Sequence, residues 1–387
     1  MQRAIAEEHL DGWLFFHFRG RDPLCIRILD LPQKSISTRP AFYLVPVSGE
    51  PRKIVHAIEP DVFDNLPGRR EIYSSHERLL QLLASLPKGG VAVQYSEELP
   101  IVSFLDLGTA RLLEGAGFSL VSSAALIQRT IGVLDKAGID SHERACRALH
   151  EIVGIVWARC STLLAGGKGA REDEVQTWIM EEFAVRGLQT DHPPIVAAGI
   201  DTSDPHFEPV EGNGALLRPG ELLEIDLWAK EKAPGSIYGD ISWIGFAGPN
   251  PPAEIQRAFQ VLIGARDAGY RFIEEQFRAG EPVTGAQVDR VVRKVLIDAG
   301  FESALRHRTG HGIDVEDHGS GVNLDSVEFP DERFLIEGSC FSIEPGIYLP
   351  SYGLRTEMNV YIHGGRPHIS GGTPQDRLLV TTIGKSL

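Results

Sequence analysis

Four strand-like stretches in the C-terminal part of this chain place acids where a buried strand should be apolar. In ELLEIDLWA, Leu223, Ile225 and Leu227 fall on one face and Glu224 and Asp226 on the other, because successive strand side chains alternate. In IYGDISWIG, Asp240 stands opposite Ile241 and Trp243. In CFSIEPGIYL, Glu344 stands opposite Phe341 and Ile343 before Pro345-Gly346 breaks the strand. In LRTEMNVYI, Arg355, Glu357 and Asn359 face one way and Met358, Val360 and Ile362 the other. A lone acid on a strand ordinarily faces water. Acids in all four of these apolar strands are harder to solvate. Buried unpaired carboxylates cost several kcal/mol each, so the fold must gather them around a compensating cation.

The rest of the pattern predicts an α+β chain. Residues 1–135 alternate short apolar runs (GWLFFHF, AFYLVPV, RKIVHAI, VAVQY) with helix-spaced segments (HERLLQLLASL, FLDLGTARLLEGAG), which reads as a small α/β domain. Residues 136–387 form the second domain and repeat themselves. The long helix in AGIDSHERACRALHEIVGIVWARCSTLLAGG is matched by PPAEIQRAFQVLIGARDAGYRFIEEQFRAG. The shorter one in GGKGAREDEVQTWIMEEFAVRGL is matched by GEPVTGAQVDRVVRKVLIDAGF. Ser141 is the expected N-cap of the first long helix and Gly166-Gly167 its stop. Two helix–helix–strand halves imply a pseudo-two-fold domain with its site between them.

Composition narrows the partners. The formal charge of −15 over 387 residues argues against nucleic acid, since phosphate binding needs a basic footprint. Apolar runs such as IVGIVWA are too short to span a bilayer. The acidic N-terminus MQRAIAEEHLDGW has no long apolar run, so no secretory leader is expected. Cys25, Cys146, Cys160 and Cys340 are scattered without a CxxC pair and read as buried thiols of a cytoplasmic protein.

Two divalent ions would balance four carboxylates, with one neutral imidazole completing the shells. An oxygen-rich set with a single nitrogen suits manganese, cobalt, iron or zinc. His311, among the glycines of RTGHGIDVEDHGSG, is the obvious nitrogen donor. His307 and His311 are four apart, as on a zinc-protease helix, but Gly310 and Gly312 flank the second and Arg308 stands where that motif needs glutamate. GxSxG and the glycine-rich phosphate loops do not occur.

The order Asp226, Asp240, GHGI with His311, SIEPGIY with Glu344 and LRTE with Glu357 resembles the M24 metallopeptidases, which include methionine aminopeptidase, Xaa-Pro dipeptidase, aminopeptidase P and creatinase. The resemblance spans about residues 139 to 385, and the N-terminal domain is similar to that of creatinase. It implies a "pita-bread" catalytic domain holding two metal ions, manganese first among the candidates. Asp226 would bind one ion, Asp240 and Glu357 both, and His311 and Glu344 the other. It further implies hydrolysis of Xaa-Pro peptides by a hydroxide bridging the metals, with Glu344 carrying the proton. His206 of SDPHF and His318 would meet the peptide. Arg355 would secure the substrate or form an ion pair with a site carboxylate. Tyr238 is a candidate neighbour of the ligands, while His192 and His307 are read as structural. The implied partners are a peptide and further copies of the chain, with neither nucleic acid nor membrane. A creatinase-like C–N hydrolase and a binding protein on the same fold are the alternatives. Two departures stand out: Asp226 and Asp240 are fourteen apart where the family commonly has about eleven, and Asp314, Glu316 and Asp317 make the histidine loop unusually acidic.

Overall fold

The computed structural model describes residues 1–32 and 37–381, in two compact units, Met1–Ile131 and Gly132–Leu387. The first is built on a six-stranded sheet whose strands run in the order Arg69–Tyr73, Arg52–His56, Ala41–Pro46, Gly12–His17, Gly90–Val93 and Ser119–Ser122. Strand Gly12–His17 is buried throughout. Trp13 and Phe15 enter one apolar cluster and Leu14 and Phe16 another, as a strand covered on both faces requires.

The second unit consists of two like halves. Helices Lys136–Ala165 and Glu172–Val185 precede the antiparallel hairpin Leu222–Glu231/Gly239–Phe246. Helices Ala253–Ala279 and Gly285–Asp298 precede the antiparallel strands Cys340–Ile343, Met358–His363 and Arg366–Ile369. Each half has its own apolar core, the second also taking in Leu222, Ile244 and Phe246 of the first half's hairpin. Leu223, Ile225 and Leu227 pack with Leu149, Ile152 and Val156 of the first long helix. Phe341, Ile343 and Val360 pack with Phe259 and Leu262 of the second. The alternation in ELLEIDLWA thus sends its apolar face to the helices and its acids to the other side.

Three expectations need correction. Ser141 does not cap the first long helix. Asp135 does, accepting from Gly138 N, and Ser141 lies a turn inside, where its hydroxyl donates to Glu231 Oε2 at 3.3 Å and accepts from Ile237 N at 3.2 Å. The end is as expected, with Gly166 following the helix and Gly167 at φ 71°. Second, Lys136–Ala165 is by length and composition long and apolar enough to cross a membrane. Its apolar stripe is instead buried, from Leu149 to Leu164. Third, Glu357 is not in mid-strand. Glu344 follows Cys340–Ile343, and Glu357 lies between Tyr352–Arg355 and Met358–His363. The four cysteines are free and buried.

Candidate metal centre

Hydrogen bonds between the halves bring their acids together. The hairpin register sets Ser242 opposite Asp226. Glu357 N donates to Ser242 O at 3.2 Å, and Asp240 N donates to Asn359 Oδ1 at 2.8 Å. Residues 309–313 run beside 340–344: Glu344 N donates to Thr309 O, Ser342 N to His311 O, and His311 N to Ser342 Oγ. Close approach explains the glycines about His311, Gly310 against this strand and Gly312 against the loop at Gly321. A Cβ on Gly310 would come within 2.1 Å of Ser342 O, and one on Gly312 within 2.7 Å of Gly321 C.

His311 Nε2 lies 3.4 Å from Asp240 Oδ2 and 3.3 Å from Glu344 Oε1. The ligand atoms of Asp240, His311 and Glu357 all lie within 4.8 Å of one another. Asp240 Oδ1 and Glu357 Oε1 are buried and meet no hydrogen-bond donor. Asp226 is already held, with Oδ1 accepting from Ser242 Oγ at 2.5 Å and Oδ2 from Arg355 Nη2 at 2.6 Å. Each of those oxygens keeps a further lone-pair direction. Unpartnered, buried carboxylate oxygens around one imidazole fit a divalent cation.

Electrostatics follow from burial. Asp240 is pushed up to about 7, first by burial and then by Glu344. Asp226 rises to about 6 and Glu224 to about 7, burial outweighing Arg355 in both. Glu357 goes well above the usual carboxylate range through burial and then Asp240. Burial would raise Glu344 too, but His311, His307, Arg355 and His318 together hold it below its ordinary value. Burial keeps His311 neutral, as a ligating nitrogen must be.

Arg355 is buried and fully engaged. Nη2 reaches Asp226 Oδ2 and, at 3.0 Å, Glu224 Oε1. Nη1 donates to Pro205 O and Tyr348 OH, and Nε to Ser242 Oγ. Five N–H groups meet five acceptors. Of its two expected roles, the geometry supports the ion pair with site carboxylates and leaves no donor for a substrate. His307 belongs to the same chain of contacts, its Nε2 2.9 Å from Tyr348 OH.

A cavity of about 780 Å³ lies over these groups. Its lining includes Asp226, Asp240, His311 and Glu344, with His206 and His318 among the surrounding side chains. His206 is exposed, and the His318 ring lies 4.2 Å from that of His311. Tyr238 and His192 also line it, and Tyr238 OH is 3.5 Å from Asp191 Oδ1. Sequence reasoning missed Ser242, Tyr348 and Asp191. Ser242 alternates with Asp240 on one strand, a signal that could have found it. Tyr348 and Asp191 carry no such mark. The acidic loop is explained in part by Asp314, which is buried and accepts from Glu316 N and Ser320 N, both at 2.8 Å.

Comparison with known proteins agrees with this architecture. Residues 140–364 match metallopeptidase family M24. An Xaa-Pro dipeptidase of Lactobacillus delbrueckii subsp. lactis is 33% identical over 172 residues, 44% of this chain and 42% of that protein. A probable dipeptidase PepE of Mycobacterium tuberculosis is 29% identical over 278 residues, 71% of this chain and 67% of the relative. The matched region thus spans less than half of the first relative and about two thirds of the second. The crystal structure of dipeptidase PepE from Mycobacterium ulcerans superposes with a TM-score of 0.70 at 23% identity, covering 98% of this chain and 96% of the other. That likeness establishes the two-domain fold with its pita-bread catalytic unit.

Proposed function

The chain belongs to metallopeptidase family M24, and from that premise we propose that it is a two-metal exopeptidase cleaving peptides before proline. The observation that carries the reading is the set of buried carboxylate oxygens, Asp240 Oδ1 and Glu357 Oε1, left without a donor beside His311, with Asp240 and His311 lining a cavity. Asp226, Asp240, His311, Glu344 and Glu357 would hold the two ions, with manganese the first candidate and cobalt, zinc or iron also suited. Bound there, divalent ions supply a water acidic enough to ionise near neutral pH and polarise the scissile carbonyl.

The chain's own residues do the rest. Glu344, whose carboxyl stays below its ordinary value and lies 3.3 Å from His311, takes the proton of the attacking water. It returns that proton to the prolyl nitrogen as the C–N bond breaks, a general acid–base contribution worth roughly 10²–10⁴-fold. His206 and His318, on the cavity wall, hold the substrate carbonyl as negative charge develops on its oxygen. Arg355 keeps Asp226 in place through its fork and meets no substrate. An acyl-proline bond lacks N–H, so selection rests on ring shape and on the peptide termini.

The test is hydrolysis of Xaa-Pro dipeptides, Xaa-Pro-Xaa tripeptides and a non-proline control by metal-stripped protein with manganese, cobalt or zinc restored. Metal-dependent cleavage before proline, lost in Asp240→Ala and Glu357→Ala, is expected. The preferred length separates dipeptidase from aminopeptidase P activity. Cleavage of the control alone would remove the proline assignment, and metal uptake without cleavage would point to another amide substrate.

A further inference from the structure

Asp317 is a carboxylate that this ligand set leaves over. Its side chain is 12% exposed, and its Oδ1 is inaccessible and meets no hydrogen-bond donor. The ligand atoms of His311, Asp317 and His318 lie within 4.8 Å of one another, as do those of Asp240, His311 and Glu357. His311 therefore belongs to two three-donor faces. His318 Nε2 is 3.8 Å from Asp317 Oδ2 and closes the second face from the exposed side.

Asp317 is not there because a slack loop happens to fold inward. Asp314 accepts from the backbone on both sides of it, at Glu316 N and Ser320 N. Gly319 N donates to Gly312 O at 2.7 Å. Arg333, buried and paired with Asp331, donates to Ser320 O and Gly321 O. The loop is clamped so that Asp317 lies beside His311 and His318 among the site's acids. Four carboxylates already match two dications, and one guanidinium serves both Asp226 and Glu224. Asp317 adds a charge with no cation assigned to it, in a place where an unpaired charge is unfavourable. A donor oxygen that no hydrogen reaches, beside two imidazoles and among ligating carboxylates, has the chemistry of a metal ligand.

We propose that Asp317 is a further protein ligand of the metal centre, binding the divalent cation that His311 holds, with His318 beside it on the exposed side. The proposal rests on the metal-binding part of the reading above and not on peptide cleavage. Asp317 would raise the affinity of the centre and tie the histidine loop to the bound ion.

The experiment compares full-length wild type with Asp317→Asn, Asp317→Glu and Asp240→Asn, each stripped with chelator. Manganese and zinc uptake is followed by calorimetry, and the coordination of added cobalt by its visible absorption. Asp317→Asn should bind about 10–100-fold more weakly, the loss typical of perturbing groups around a metal, with an altered cobalt spectrum. Asp317→Glu should recover part of the affinity. Metal-free Asp317→Asn should melt no lower than metal-free wild type, because an amide of the same shape replaces a carboxyl group whose ionisation burial opposes. Unchanged affinity and spectrum in Asp317→Asn, with binding lost in Asp240→Asn, would overturn the assignment of Asp317 alone. Weaker binding together with a lower melting temperature of the metal-free variant would mean a structural residue and would also overturn it. No ion bound by wild type would overturn both the proposal and the metal reading. Asp317-dependent uptake without peptide cleavage would uphold the ligand and remove only the substrate.

Discussion

Replacing Arg355 with methionine gives the sharpest test of how the acids are held. Arg355 is the guanidinium shared by Asp226 and Glu224, at 2.6 and 3.0 Å. Its removal from metal-free protein strands two buried carboxyl groups, and breaking a buried pair in this way costs about 3–5 kcal/mol. The loss should depend on pH, with a sign that follows from the raised carboxyls. Glu224 lies at about 7 in the folded chain against 4.5 for the ordinary group. The folded state therefore binds more protons than the unfolded one between those values, and metal-free stability falls as pH rises through that window. Forcing that one carboxyl to ionise takes about 3 kcal/mol. Without Arg355 the folded values move higher still, so the window extends upward. Arg355→Met should consequently be nearly as stable as wild type at pH 5, where both groups are protonated, and lose its full increment at pH 8. Urea unfolding in chelator, followed by tryptophan fluorescence, reports on this unit, because Trp157, Trp178, Trp228 and Trp243 all lie within it. A loss of the same size at both pH values, or below about 1 kcal/mol at pH 8, would refute the view that Arg355 neutralises buried carboxylates.

Other substitutions test the surrounding contacts. Ser242→Ala removes the hydroxyl that bonds Asp226 and Glu357 and accepts from Arg355; it should cost about 1.5–3 kcal/mol, read by chemical unfolding, and weaken metal uptake in calorimetry. Gly310→Ala would drive a Cβ to 2.1 Å from Ser342 O. An overpacking loss of about 1–3 kcal/mol should then appear in unfolding, with metal affinity falling as His311 and Glu344 are pushed apart. Asp314→Ala should loosen the histidine loop by removing the acceptor of two backbone N–H groups, at a cost of about 1–3 kcal/mol, and hydrogen exchange at Glu316 and Ser320 should speed up. Glu344→Gln should abolish turnover in a peptide assay, because an amide cannot carry the proton.

Much of the chain was legible because its strongest signals are local. Alternation in ELLEIDLWA assigned Glu224 and Asp226 to one face and the leucines to the other, and the packing of Leu223, Ile225 and Leu227 against the first long helix follows that division. The same rule was less secure for Arg355 and Glu357, because Glu357 lies between two strands and not within one. Helical spacing yielded the paired long and short helices of both halves. Boundaries were less legible. Ser141 has the right chemistry for a cap, but Asp135 one and a half turns earlier is equally suited, and tertiary bonds to Glu231 and Ile237 claim Ser141 instead.

What only the tertiary structure decided is which distant residues meet. Arg355 reaches Asp226 across 129 residues, and Ser242 reaches Glu357 across 115. Those meetings depend on the register of strands from different halves and on the backbone bond from Glu357 to Ser242. A period of two says which face a side chain takes, not which strand that face will find. The sequence by itself determined that this chain must bury acids together, since they lie in strands too apolar for water. Only the packed halves decided that Arg355 neutralises Asp226 and Glu224 and that Asp317 joins the cluster. Both outcomes are set by distances of a few ångströms between segments that the chain order keeps far apart.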